Sequence, residues 1–268
     1  MRKLSFTSPL CIKFSFPGTS IWVLTVLICF SACSEAEDEC TESYAGGQLK
    51  FSVSCNLESG EYEGEMRMFY EDGTLMAIRQ FRDGVEVDTA FYFYEDGTTL
   101  KQIIPFMSGY EHGESLSFYE DGTTQETISY QYGIKHGPAA TYYANGQPKE
   151  DGFFANNDKY DRWTCFRENG DQDYVLSYYD QELNGPFMVS RESGIPFITG
   201  TFHRNVLDGD VLFYNEEGAI IFKEIWNMGK NNSFQARSPG PEESGPGKVS
   251  FKYEEKTISI TPDGISIQ

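Results

Sequence analysis

From residue 60 onward, short apolar or aromatic runs alternate with polar turn clusters, the signature of half-buried β-strands rather than of helices. Gly73, Gly97, Gly122, Gly146, Gly170, Gly194 and Gly218 recur at spacings of 24, 25, 24, 24, 24 and 24 residues. Around each glycine the neighbourhood recurs too. Four residues earlier stand Phe69, Phe93, Phe118, Tyr142, Phe166 and Tyr214, with Ser190 as the exception. Eight residues later stand Phe81, Tyr130, Phe154, Tyr178, Phe202 and Trp226, with Phe106 displaced by the single insertion.

Each glycine closes a turn signal such as Glu71-Asp72-Gly73, Glu120-Asp121-Gly122 or Ala144-Asn145-Gly146. Asp-Gly and Asn-Gly between apolar runs tolerate positive φ, so primed hairpin turns are expected there. A second reversal follows eleven residues on, at Gly84, Gly133, Asn157, Asn205 and Gly229. Two strands and two turns per period predict an all-β fold: an antiparallel β-meander of about seven 24-residue hairpin repeats over residues 60–230. An aromatic ladder is expected on one face, with Tyr70, Tyr94, Tyr119 and Tyr143 projecting from the other. A degenerate hairpin near Tyr44–Leu57 reads as an N-terminal cap, so residues 33–59 serve as tether and cap. Residues 231–247 (NNSFQARSPGPEESGPG) interrupt the period and read as a flexible linker. Alternation resumes over 248–268, which predicts a short C-terminal strand pair.

The first 32 residues carry a different pattern. Arg2, Lys3 and Lys13 precede a ten-residue apolar run, Ile21–Phe30, as in a cleavable export signal, and ten residues are too few to span a bilayer. Phe30-Ser31-Ala32-Cys33 resembles the bacterial lipobox, although Phe30 stands where that motif prefers Leu. The resemblance implies lipidation of Cys33 and a membrane anchor at the cell envelope, on the outer membrane or cell surface. The acidic run Ser34–Glu39 is similar to the export tether of surface lipoproteins from the Bacteroidetes group.

The chain carries a formal net charge of −20, and removing three of its 21 basic residues with the signal while keeping all 41 acidic ones makes the mature part −23. That sign argues against nucleic acid as a partner. In an exported context Cys40 and Cys55 can form a disulfide, leaving Cys165 unpaired, although spacing alone does not decide the pairing.

The unit Gly-x4-[Phe/Tyr]-Tyr-x-Asp-Gly-x-Leu, best kept at Gly64–Leu75 and from Gly113 to Gly122, resembles the MORN-repeat variant of bacterial proteins of the YwqK-type antitoxin family. His112-Gly113 and His136-Gly137 match its His-Gly step. The resemblance covers about residues 60–230 and implies a non-enzymatic scaffold for an unidentified protein partner, with an antitoxin-like role attached to the family. Arg167 and Arg191 depart from the Tyr of the pattern and join the four tyrosines as candidate partner contacts.

Chemistry is sparse. His112 and His136 occupy equivalent positions without a tetrahedral ligand set, so no metal site is expected. The Glu-Asp-Gly-Thr turns lack the alternating oxygen ligands of a calcium loop. No nucleophile elbow, phosphate loop or zinc-protease motif is present, Cys165 and His203 both sit in repeating strands, and neither catalysis nor a cofactor is expected. An alternative function is cell-wall glycan or choline-type binding through the aromatic hairpins, against which stands the scarcity of tryptophan, with only Trp163 and Trp226 after the signal.

Overall fold

A computed structural model describes residues 38–232, 244–245, 248–253, 256–262 and 264–267. The export signal and Cys33 lie outside the described residues, as does most of the linker. Among the described residues there is no helix. The repeats form one 20-stranded antiparallel sheet in which each strand pairs with its sequence neighbours. A copy is one hairpin: Tyr62–Phe69 with Leu75–Arg82, Val85–Phe93 with Leu100–Met107, and so on to Gly209–Tyr214 with Ile220–Asn227. The expected meander of about seven hairpin repeats is present.

The Asp-Gly turns differ from expectation, whereas the second turns are left-handed as expected. At the Asp-Gly turns only the glycine has positive φ, as at Gly73 (89°), and Gly73 N–H donates to Tyr70 O while Tyr70 N–H donates to Thr74 O. This is a type I turn closed by a left-handed glycine, in which the Asp72 carboxylate accepts the Thr74 N–H, so Asp serves as acceptor and not as a positive-φ residue. The primed geometry lies at the second turns, where both central residues are left-handed: Asp83 and Gly84 (50°, 72°), Tyr132 and Gly133 (50°, 78°), Arg204 and Asn205 (49°, 65°). A two-residue connection demands that geometry, whatever residues fill it.

Register shifts also move the core. One occurs in every copy directly before the aromatic that precedes the turn, for example between Met68 and Phe69, Tyr92 and Phe93, and Ser117 and Phe118. The extra residue breaks strict alternation. Phe69, Phe93 and Phe118 therefore end up half-buried, and the buried row lies seven residues before each turn glycine and, after Gly122, Gly170 and Gly218, six residues beyond it. In the N-terminal half that row holds Met66, Ala90, Ser115, Ile128 and Ala139. In the C-terminal half it holds Trp163, Leu176, Phe187, Val211 and Glu224. Large and small residues alternate across it. Trp163 covers Gly152 so closely that an added Cβ would lie 2.3 Å from the indole, and Phe187 covers Gly200 at 2.5 Å.

A second row on the same inner face holds Phe81, Tyr178, Phe202 and Trp226, as the recurring aromatic eight residues after the glycine implied. At the C-terminal end this face is closed by a four-stranded sheet that includes Lys256–Thr261 and Gly264–Ile267. Ile260, fully buried, enters the core beside Phe202 and Leu207, and Tyr178 Oη donates to Pro262 O at 2.8 Å. At the opposite end Cys40 and Cys55 form a disulfide with Cα atoms 5.7 Å apart, tying Asp38–Ser43 to Leu49–Cys55.

Two substitutions probe this packing. Gly137 has φ of 121°, and an added Cβ would stand 2.8 Å from Ser129 Cβ, so Gly137→Ala is expected to cost about 1–3 kcal/mol in denaturant unfolding. Glu224 is 1% exposed; one carboxylate oxygen accepts the Trp226 indole N–H at 2.9 Å and the other is unpaired. Burial raises its pKa against the lowering effect of Trp226 and Asn231. A raised carboxyl pKa means the folded state holds its proton more tightly than the unfolded chain, so stability is lost as pH climbs from the unfolded value through the folded one. Glu224→Gln should therefore raise the melting temperature at pH 7, with the gain shrinking toward pH 4.

Candidate functional site

In every copy but the last, where Asn215 stands, the residue after the bulge is a long side chain whose terminal donor reaches the next repeat. Tyr44 Oη donates to Phe69 O (2.8 Å), Tyr70 to Phe93 O (2.7 Å), Tyr94 to Phe118 O (2.6 Å), Tyr119 to Tyr142 O (2.7 Å) and Tyr143 to Phe166 O (2.8 Å). The ladder does not stop where tyrosine does. Arg167 Nη2 donates to Ser190 O at 2.6 Å and pairs with Asp173, while its Nη1 reaches Arg191 O at 3.0 Å. Arg191 Nη2 donates to Tyr214 O at 2.7 Å, with its guanidinium 4.5 Å above the Phe197 ring.

Six of the sequence-predicted contact residues, Tyr70, Tyr94, Tyr119, Tyr143, Arg167 and Arg191, thus form one line along the Asp-Gly rim, each engaged within the sheet. Burial, with nearby acidic turns, raises the phenol pKa of Tyr70 and Tyr94. The rim around them is acidic, and hydrogen bonds from Thr99 and Thr98 hold the Asp96 carboxyl down at about 2.

The exposed aromatic surface lies on the other rim, on the outer face. Val85, Met107, Tyr110, Tyr132, Ile134 and Phe153 are all exposed there. They pack in sequence, Val85 over Gly109 and Tyr110 over Gly133 of the following copies. His112 stands edge-on to Tyr132 at 4.7 Å and His136 to Phe153 at 6.1 Å. Turn residues 107–110 (MSGY) and 131–134 (QYGI) carry no formal charge, although the chain carries −20, whereas the flanking turns 82–85 (RDGV) and 155–158 (ANND) each include an Asp. Sequence inspection passed over the stripe because these residues lie in turns and outside the aromatic columns; the missing Asp and Glu of turns 107–110 and 131–134 were its visible signal.

Beyond the stripe on the same face, a groove of ≈ 720 Å³ crosses the copies from 161 to 210. Its lining includes Arg162, Val175, Ser177, Asn184, Met188, Thr201 and Asp210. Tyr160 and Tyr179, with ring centroids 5.9 Å apart, stand beside its second-turn end.

Cys165 and His203 are not brought together. Burial pushes the Cys165 thiol up to about 12, and the neighbouring Glu150 adds to the rise, so at neutral pH it is not a thiolate. Cys165 shares the inner face with Trp163, whereas the neighbour of His203, Phe202, points inward and His203 itself outward and exposed; the sheet separates the two. Among the described residues no group of three or more His, Cys, Asp or Glu is placed to hold a metal ion.

The family model of the MORN repeat variant matches residues 62–83, 111–132 and 135–156. Three MORN-variant repeats are present. The remaining copies share their turns, bulges and rungs without matching the family model. No curated protein matches the chain. Among solved structures, the chain is similar to part of one titled "Crystal Structure of TcdB2-TccC3-Cdc42", at 10% identity over 85% of this chain and 14% of that chain, with a TM-score of 0.17. A Photorhabdus luminescens Tc holotoxin pore carrying a TccC3 mutation gives 9% identity, the same coverages and a TM-score of 0.17. The chain spans 14% of either relative, and neither likeness bears on fold or function.

Exchange of rung residues tests the ladder. Arg167→Ala should cost about 1–3 kcal/mol, since it strands the buried carbonyl of Ser190, whereas Arg167→Tyr should recover most of the loss. Chemical denaturation of the two variants separates a rung from a site that needs arginine itself.

Proposed function

We propose that the protein is a non-enzymatic interaction scaffold of the cell envelope, exported, anchored by a lipidated Cys33 and docking a protein partner along its outer face, with an antitoxin-like role as one form of such docking. The observation that supports this reading is the stripe Val85, Met107, Tyr110, Tyr132, Ile134 and Phe153, exposed on a strongly acidic chain, with the two central turns 107–110 and 131–134 free of formal charge. Aromatic and Met side chains are what protein interfaces enrich, and charged residues are what their cores exclude. The MORN-variant repeats are compatible with this role, since such repeats commonly mediate protein or membrane interaction. Partner contact is placed on the stripe rather than on Tyr70, Tyr94, Tyr119 and Tyr143, because their hydroxyls already serve the neighbouring repeats.

The test is affinity purification of the processed chain beside a Tyr110→Ser, Tyr132→Ser, Phe153→Ser variant. Loss of a specific co-purifying protein with unchanged β circular dichroism supports the reading; retention of that protein by the variant overturns it. Mass analysis of the N-terminus should find diacylglycerol on Cys33, and an unmodified Cys33 would refute the anchor.

A further inference from the structure

We propose that the groove across the copies from 161 to 210 binds a neutral oligosaccharide, a ligand distinct from the protein partner of the stripe. Four strand spacings of about 4.8 Å separate Asp158–Phe166 from Gly209–Tyr214, which gives a trough roughly 20 Å long, the length of a short sugar chain. Its polar groups are mixed in kind, as a polyhydroxylated ligand requires. Arg162 offers N–H donors and makes one long bond, 3.3 Å to Gln172; Asn184 offers both an amide donor and an acceptor; Thr201 offers a hydroxyl. Asp210 contributes a carboxylate whose Oδ2 is paired with Lys223 at 2.5 Å, which leaves Oδ1 to accept.

The groove is close to electrically neutral, with Asp161 and Arg162 at one end and the Asp210–Lys223 pair at the other. A polyanionic ligand would be repelled by the rest of a −20 chain, and a polycation would be drawn instead to the acidic Asp-Gly rim. Beside the second-turn end, Tyr160 and Tyr179 are 41% and 56% exposed, two residues along their strands from Arg162 and Ser177. Exposed ring faces with negative quadrupoles suit the polarised C–H face of a pyranose. A protein strand fits less well. The floor strands, such as Gly185–Ser190 between Gln172–Tyr179 and Pro196–His203, are paired on both sides, so no free main-chain edge is offered for strand addition.

The test is a glycan array probed with the full processed chain, followed by titration calorimetry with chitohexaose, cellohexaose and maltohexaose. At least one neutral glycan should bind with Kd between about 1 µM and 1 mM. Tyr179→Ala and Asn184→Ala should each weaken it tenfold or more at unchanged melting temperature, while Tyr110→Ser leaves it unaltered. Absence of neutral-glycan binding on the array, or equal affinity in the Tyr179 and Asn184 variants, overturns the proposal. Partner capture by the stripe is a separate readout, so either reading can fail without the other.

Discussion

A donor at the tip of a long side chain reaching the carbonyl of the next repeat is the interaction on which this sheet depends. Ladder hydrogen bonds join strands, but they are indifferent to which repeat follows which. The Tyr and Arg rungs join whole copies 23 to 25 residues apart, at carbonyls beside the bulges that every copy carries. Each such bond is worth only about 0.5–1.5 kcal/mol. Repeated at every step, it fixes the stagger of the copies and the line of the acidic rim. Stability in such an array is a sum over neighbours.

Tyrosine and arginine are interchangeable here for a geometric reason. Both carry a rigid, planar donor group at the end of a side chain long enough to cross two strands, and both tolerate partial burial. Arginine adds a second bond and a charge, and Asp173 neutralises that charge. The switch to arginine coincides with the section in which the inner face fills with Trp163, Leu176, Phe187 and Phe202 and is closed by Ile260. The outer face above it is hollowed into the groove.

The period and the hairpin of each copy were within reach of the sequence, because both depend on spacing; Cys40 and Cys55 were candidates for a disulfide that spacing left undecided, and the C-terminal strand pair proved to be a four-stranded sheet. The geometry of the Asp-Gly turns was not within reach, since there only the glycine is left-handed and Asp acts as acceptor; at the second turns, Tyr132 and Arg204 take positive φ because a two-residue loop forces it. The buried row was displaced from the obvious aromatics by a bulge, which no single-residue pattern reveals. Arg167 and Arg191 were read as departures from the Tyr of the pattern because residue identity was compared, whereas reach and donor capacity were what the position required. The outer stripe and groove arise only when several copies are laid side by side, so they belong to the array and not to any unit.

The two ends of the array are held by different means, a covalent link at Cys40–Cys55 and a packed sheet at Ile260. The copies between Val85 and Ala155 have neither; only adjacent hairpins support them. Under tension along the row of repeats this middle span is the compliant element, a soft spring between two stiff clamps. The exposed stripe lies on that span, so the surface it presents would be the first to change shape under such a load.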